Sequence, residues 1–191
     1  MVKKSKAIFL DRDGTIIYHS NNFVLRTTQL RLLPGVAESI KIFNKLGFLV
    51  IIITNQPVIS RGLIGPGEME RLHEFLIERL ERRGAKIHGV YFCPHHPYSK
   101  IPKWGIKCHC RKPEPGMILK AIKDYNVDPK KSFMIGDALI DVVAGKRAGV
   151  KTVLVKTGPG HPRLDPIYKD TKPGFVVKNL IEAVRKIKTT F

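Results

Sequence analysis

Phe9-Leu10-Asp11-Arg12-Asp13-Gly14-Thr15 closes the first apolar segment of the chain, so two carboxylates two residues apart emerge where that segment ends. With Ala7 to Leu10, five more apolar segments rich in β-branched residues read as strands: Phe48 to Ile53, Ile87 to Phe92, Ser132 to Ile135, Thr152 to Val155 and Phe175 to Val177. Helical patterns lie between most of them. Pro34-Gly35 opens one that reaches Leu46 and stops at Gly47, a residue that commonly ends helices. Met69, Leu72, Leu76 and Leu80 fall three and four apart, which makes one core-facing stripe with Glu and Arg opposite. Pro115 to Tyr125, Asp141 to Ala148 and Asn179 to Lys188 supply three more helices. Strands alternating with helices pair in parallel under crossover helices on both faces. The predicted fold class is therefore α/β: a Rossmann-like three-layer α/β/α sandwich with a parallel sheet, as one domain over residues 1–191. Ligands of such sheets sit beyond the carboxyl ends of the strands, which is where Asp11 and Asp13 fall.

Composition narrows the function classes. The 191 residues are 43% apolar and 26% charged, enough for a core and against disorder. The longest apolar run, Phe48 to Ile53, is six residues, against the ~20 that a membrane-spanning helix needs. Met1 to Lys6 is basic, but Ala7 to Leu10 is too short for the apolar core of a secretory leader, so a cytoplasmic location is expected. Lys+Arg number 34 and Asp+Glu 16, a formal charge of 34 − 16 = +18, which favours anionic partners: nucleic acid, an anionic surface or a small phosphorylated substrate. The basic residues come as dispersed pairs such as Lys3-Lys4, Arg82-Arg83, Lys130-Lys131 and Arg185-Lys186, so a solvated basic surface is the plainer reading. Three cysteines cannot all pair with one another, and in a reducing compartment metal binding is the better question.

Chemistry-bearing residues recur at the strand ends. The second strand ends in Ile53-Thr54-Asn55-Gln56, a hydroxyl and two amides suited to a phosphoryl group. The fourth ends in Gly136-Asp137-Ala138-Leu139-Ile140-Asp141. Arg111-Lys112-Pro113-Glu114-Pro115-Gly116 holds a lysine just ahead of a helix, with prolines fixing the chain. Together these would bring carboxylates, a hydroxyl and a cation to one crevice. A Ca²⁺ loop of the EF-hand type fails because Ile16 follows Thr15, and a Walker-type site fails because Arg147 follows Gly145-Lys146.

On Asp11-x-Asp13-Gly14-Thr15, Thr54, Lys112 and Gly136-Asp137-x-x-x-Asp141, the chain resembles the haloacid dehalogenase superfamily, in the right order and over nearly its whole length. The resemblance implies that Asp11 is the nucleophile, forming an aspartyl phosphate, and that Asp13 is the acid and then the base. It implies Mg²⁺ held by Asp11, the backbone carbonyl of Asp13, and Asp137. Because an acid lies two residues after the nucleophile, the reaction implied is phosphate ester hydrolysis. Physical chemistry asks for the same parts, since positive charge from Mg²⁺ and Lys112 must offset repulsion between a carboxylate and a phosphate dianion. Asp141 is read as ligating the metal, orienting Lys112 or capping the next helix, with the supporting roles expected.

All three cysteines lie in the loop before Lys112, as Cys93-x-His95 and, twelve residues on, Cys108-x-Cys110. Three thiolates and an imidazole make a closed tetrahedral set, so a structural Zn²⁺ is expected there, with His96 or His109 as substitutes for His95. His73, beside the apolar stripe, reads as packing. Because Arg111 and Lys112 directly follow Cys110, the clip should also fix the lysine and remove loop entropy. Cys-Pro-His-His-Pro and Cys-His-Cys-Arg-Lys-Pro-Glu-Pro-Gly-Met resemble the histidinol-phosphatase subgroup. The long spacer is similar to the branch acting on a heptose with phosphates on C1 and C7. This implies loss of the C7 phosphate, with Arg111 recognising the other phosphate and Asn55 also touching substrate. Two stretches depart from that pattern: Tyr18-His19-Ser20-Asn21-Asn22-Phe23, and Pro57-Val58 after the Asn-Gln pair. No segment between Asp11 and Pro34 or between Gly62 and Ile87 is large enough for a separate cap domain, so an open site on a monomer is expected. Histidinol phosphate, or a polynucleotide 3′-phosphate, stays open as substrate. A non-catalytic zinc-containing nucleic-acid-binding module is the reading from another class, although the spacing is not that of a zinc finger.

Overall fold

A computed structural model describes residues 4–19, 23–161 and 165–190 of the chain. Ser20, Asn21 and Asn22 of the departing stretch, and Lys3 of the basic start, lie outside the described residues. The elements run β1 (Lys6–Leu10), α1 (Val36–Lys45), β2 (Phe48–Asn55), α2 (Pro57–Ser60), α3 (Pro66–Glu81), β3 (Gly89–Cys93), α4 (Gly116–Asp124), β4 (Phe133–Gly136), α5 (Leu139–Arg147), β5 (Lys151–Val155), β6 (Phe175–Val177) and α6 (Leu180–Lys188). The strands form a six-stranded sheet in the order β3-β2-β1-β4-β5-β6. Each adjacent pair is parallel, with Lys6 to Leu10 in register with Phe48 to Ile52 and Ile8 to Leu10 with Phe133 to Ile135. This is the predicted Rossmann-like α/β fold.

Alternation along the strands divides the apolar residues between two cores, as a sheet covered on both faces requires. Ile8, Leu10, Val50, Ile52 and Ile135 face a core completed by Val36, Ile40 and Phe43 of α1, Met69, Leu72, Leu76 and Leu80 of α3, and Leu180, Val184 and Ile187 of α6. Ala7, Phe9, Ile51, Ile53 and Met134 face the other, with Met117, Ile118 and Ala121 of α4, Ala144 of α5 and Ala148 at its C-cap. Helix ends follow local chemistry. Gly47, at φ 78°, lies in the left-handed region that terminates α1. The Asn179 side chain accepts from the Glu182 N–H to start α6. α5 begins at Leu139, two residues ahead of the sequence reading, because the Asp141 carboxylate accepts from the Ala138 N–H at 3.2 Å and so belongs to the first turn.

The chain builds β1, β2 and β3 outward in one direction and then returns to place β4 on the other flank of β1. That reversal leaves a crevice at the carboxyl ends of β1 and β4, where ligands of open α/β sheets bind. Among the described residues no second sheet stands between β1 and α1 or between β2 and β3.

Candidate active site

The crevice gathers its charged groups around one ammonium. Lys112 is 2% exposed, and its Nζ donates to Asp11 Oδ1 at 2.6 Å and to the Ile53 carbonyl at 2.9 Å. It also forms an ion pair with Asp141 Oδ1 at 2.6 Å. Burial pulls the Lys112 pKa down, but the Asp11 and Asp141 carboxylates outweigh it and hold the group well above the ordinary lysine range. Asp11 sits just past β1, its N–H bonded to the Ile135 carbonyl of β4. Burial pushes its pKa up to about 8; Lys112 opposes this, while Asp141, Asp137 and Asp13 add to it. Asp137, just past β4, is pushed up to about 7 by burial and by Asp141, against a bond from the Gly160 N–H.

One carboxylate oxygen each from Asp11, Asp137 and Asp141 lies within 4.8 Å of the others. Three carboxylates facing one ammonium in a buried crevice leave a negative excess, which the raised pKa values of Asp11 and Asp137 express. A hard divalent cation relieves that excess, so the residues fit Mg²⁺. Gly14 makes the closeness feasible: its φ is +82°, and a Cβ there would stand 2.6 Å from Asp137 Oδ2.

The hydroxyl and amides after β2 carry separate tasks, and Thr54 and Asn55 are the strand's last residues rather than its sequel. Gln56 Nε2 donates to Thr54 Oγ1 and to Asp13 Oδ2, both at 2.9 Å, which leaves the Thr54 hydrogen for an acceptor in the crevice. The Asn55 side chain donates to the Lys112 carbonyl and accepts from the Lys112 N–H, each at 3.0 Å, clamping that backbone beside β2. Asp13 is gripped by Arg12, with Nε to Oδ2 at 3.0 Å and Nη2 to Oδ1 at 3.1 Å. Arg12 is 1% exposed and its Nη1 reaches His73 Nε2 at 3.1 Å, so His73, read from sequence as packing, touches the site through Arg12.

In the loop after β3, Cys93, His95, Cys108 and Cys110 converge. Cys110 Sγ lies 3.1 Å from the Sγ of both Cys93 and Cys108, and His95 offers Nδ1, 3.3 Å from Cys110 Sγ. Hydrogen bonds from the neighbouring thiols lower the Cys110 pKa to about 5, while its bond with Cys110 raises that of Cys93 and burial raises that of Cys108. A soft-donor set sharing protons in this way fits Zn²⁺, which would replace them. His96 Nδ1 accepts from the Tyr98 N–H instead, and the His109 carbonyl accepts from the Gly116 N–H that opens α4. The Arg111 guanidinium donates to the His95 carbonyl at 3.0 Å and lines the crevice, linking loop and site.

The open cleft, about 510 Å³, also has Arg61, His19 and His161 in its wall, which sequence reading missed. Arg61 caps the four-residue α2, too short to leave a periodic signal. His161 lies between β5 and β6, where Asp165 accepts from the Leu139 and His161 N–H groups.

The chain is similar to known proteins in sequence and in fold. Residues 109–183 match the HAD-hydrolase-like family model. The D-glycero-beta-D-manno-heptose-1,7-bisphosphate 7-phosphatase of Pasteurella multocida is 40% identical over 96% of this chain and 97% of its own length. The Escherichia coli K12 protein of the same name is 39% identical over 83% of each chain. The crystal structure of D,D-heptose 1,7-bisphosphate phosphatase from B. bronchiseptica, complexed with magnesium and phosphate, superposes with a TM-score of 0.83 at 29% identity, covering 97% of this chain and 99% of that one.

Proposed function

The chain belongs to the family of D-glycero-D-manno-heptose 1,7-bisphosphate 7-phosphatases, and from that membership we propose that it removes the C7 phosphate of the heptose bisphosphate to leave heptose 1-phosphate. The observation that carries the reading is Lys112 Nζ at 2.6 Å from Asp11 Oδ1, in a crevice that Asp137 and Asp141 also enter. Mg²⁺ would be held by Asp11, the backbone carbonyl of Asp13, and Asp137; when bound it supplies the charge that lets a carboxylate meet a phosphate dianion. Asp11 attacks phosphorus in line, and the P–O bond to C7 breaks as Asp13 gives its proton to the leaving oxygen. Thr54 donates its hydroxyl hydrogen to a phosphoryl oxygen, and Lys112 neutralises a second. Asp13, now a carboxylate, takes a proton from water; the water attacks the aspartyl phosphate, phosphate leaves and Asp11 is restored.

Arg111 faces the second phosphate from the cleft wall, and Asn55 holds the Lys112 backbone while its side chain borders the substrate. Zn²⁺ at Cys93, His95, Cys108 and Cys110 is structural, because the set is closed and offers no open coordination position. The working unit is one domain over 1–191 acting as a monomer in the cytoplasm, with loop 93–110 as its zinc-stabilised insertion. Support for the location comes from Cys93, Cys108 and Cys110, whose free thiols suit a reducing compartment. No helix among the described residues is long and apolar enough to cross a membrane.

The test is kcat/KM with Mg²⁺ across both anomers of the heptose bisphosphate, histidinol phosphate, fructose 1,6-bisphosphate and a 3′-phosphorylated oligonucleotide. The heptose bisphosphate should lead, and Asp11→Asn should abolish phosphate release. A clear preference for histidinol phosphate or the oligonucleotide overturns the substrate; DNA binding without turnover overturns the enzyme.

A further inference from the structure

Arg12 is a guanidinium taken almost wholly out of water, at 1% exposure, and such a group persists only where its donors are met. Its Nε and Nη2 form a fork on Asp13, at 3.0 Å to Oδ2 and 3.1 Å to Oδ1. The other arm, Nη1, points into the core, to Met69 Sδ at 3.3 Å and His73 Nε2 at 3.1 Å. Met69 and His73 are four apart and both buried, so they stand on one face of α3. Burial, and then the Arg12 charge, pushes the His73 pKa down to about 3, so the ring is neutral. Since Arg12 can only donate, Nε2 accepts and the ring hydrogen sits on Nδ1. The planar guanidinium is thus fixed on both sides.

The two oxygens of Asp13 are used unequally. Oδ2 faces Arg12 Nε at 3.0 Å, Arg12 Nη2 at 2.9 Å and Gln56 Nε2 at 2.9 Å. Oδ1 accepts from Arg12 Nη2 at 3.1 Å. Donors crowd Oδ2 and leave lone-pair capacity on Oδ1.

We propose that α3, through His73 and the Arg12 fork, sets the orientation of the Asp13 carboxyl, and that Oδ1 is the oxygen that gives up and takes back the catalytic proton. Arg12 and His73 are positioning residues, since neither is needed to touch the reacting atoms. The inference rests on the phosphatase reading, in which Asp13 is the acid. Its consequence is selective. An alkyl ester leaves as an alkoxide that must be protonated, whereas p-nitrophenyl phosphate releases a stabilised phenolate that needs no proton. Since kcat/KM reports the step in which the leaving group departs, loosening Asp13 should harm the alkyl ester and spare the aryl ester.

The experiment compares kcat/KM on p-nitrophenyl phosphate and on whichever alkyl phosphate of the panel above is hydrolysed fastest, for wild type, His73→Leu, His73→Gln and Arg12→Lys. His73→Leu removes the acceptor and should cost the alkyl ester about tenfold or more, with the aryl ester changed by less than about threefold. His73→Gln restores an acceptor and should recover most of the loss. Arg12→Lys keeps the charge but loses the fork, and should show the selective loss at its largest. If His73→Leu fails to fold, Arg12→Lys against His73→Gln gives the same contrast. Equal losses on both esters, or none, overturn the inference while leaving the phosphatase reading intact. A wild type that hydrolyses neither ester overturns both.

Discussion

Asp11, Asp137 and Asp141 reach the cleft from the ends of two strands and the first turn of a helix, while Cys93, His95, Cys108 and Cys110 share one stretch of chain between β3 and α4. Both clusters have metal-ligating chemistry, and they are held together by different forces. The carboxylates repel one another, yet the sheet fixes their backbones: the Asp11 N–H continues the ladder onto Ile135, and Lys112 offsets part of the charge. The thiols and imidazole sit in a loop whose one helical piece is the short Pro102–Trp104, and relax by sharing protons. In a cleft preorganised by a sheet a cation would serve charge; in a loop that its own ligands would close, a cation would serve shape. The two meet at Arg111 and Lys112, which follow Cys110 directly: Arg111 donates to the His95 carbonyl, and Asn55 clamps the Lys112 backbone.

The sharpest way to separate the regions is to remove one group from each. Asp11→Asn should lower kcat by at least about 10⁴-fold with the fold kept, as expected for loss of a nucleophile. Circular dichroism and phosphate release check it, and retained turnover would detach the cleft from the chemistry. Cys108→Ser with Cys110→Ser should act through shape instead: a lower melting temperature, faster proteolysis within 93–110, and a loss of about tenfold in kcat/KM as Lys112 loses its anchor. Normal turnover in a folded double variant would break the coupling of loop to cleft.

Titration sharpens the contrast further. Without metal, Asp11 and Asp137 hold protons to about pH 8 and about pH 7, because burial raises both. Mg²⁺ must displace those protons, so its affinity should rise with pH from 6 and level off above about 8, by up to about tenfold per unit for each proton released. Calorimetry in two buffers of different ionisation enthalpy reads the release; an affinity that falls as pH rises contradicts it. By the same sign, metal-free protein should lose stability as pH climbs from about 4 to about 8, because over that window the native state holds protons on Asp11 and Asp137 that the unfolded chain has already given up. The smallest effect belongs to the exposed pair of Arg147 with Glu114 at 2.6 Å, which borders the Lys112 segment from outside. Glu114→Gln should change stability by under ~1 kcal/mol and kcat/KM by less than about twofold. A larger change would make the surface pair, rather than Asn55 and the Cys/His loop, the anchor of that segment.

The strands were legible because each is a short β-branched run between turn residues, and β5 and β6 are located to within a residue. Convergence of Asp11 and Asp137 followed from topology, since parallel strands deliver their carboxyl ends to one edge, and Lys112 was legible as the cation just ahead of α4. What escaped was whatever depends on side chains crossing between distant elements. His73 carries the spacing of a core residue, and its bond to Arg12 across 61 positions has no linear signature. Gln56 was visible only as an amide after a strand, yet it joins Thr54 to Asp13. Asn55 similarly spends its amide on the Lys112 backbone, a partnership that periodicity cannot show.

In the proposed reaction the Asp11 carboxylate becomes bonded to phosphorus. Rapid acid quench during turnover of the heptose bisphosphate, followed by borohydride reduction and peptide mass spectrometry, reads it directly, because an acyl phosphate is reduced to an alcohol and a free carboxylate is not. The account predicts homoserine at position 11, dependent on both Mg²⁺ and substrate. Phosphate released in a burst with Asp11 left unreduced, or the reduced residue found at another carboxylate, would contradict it.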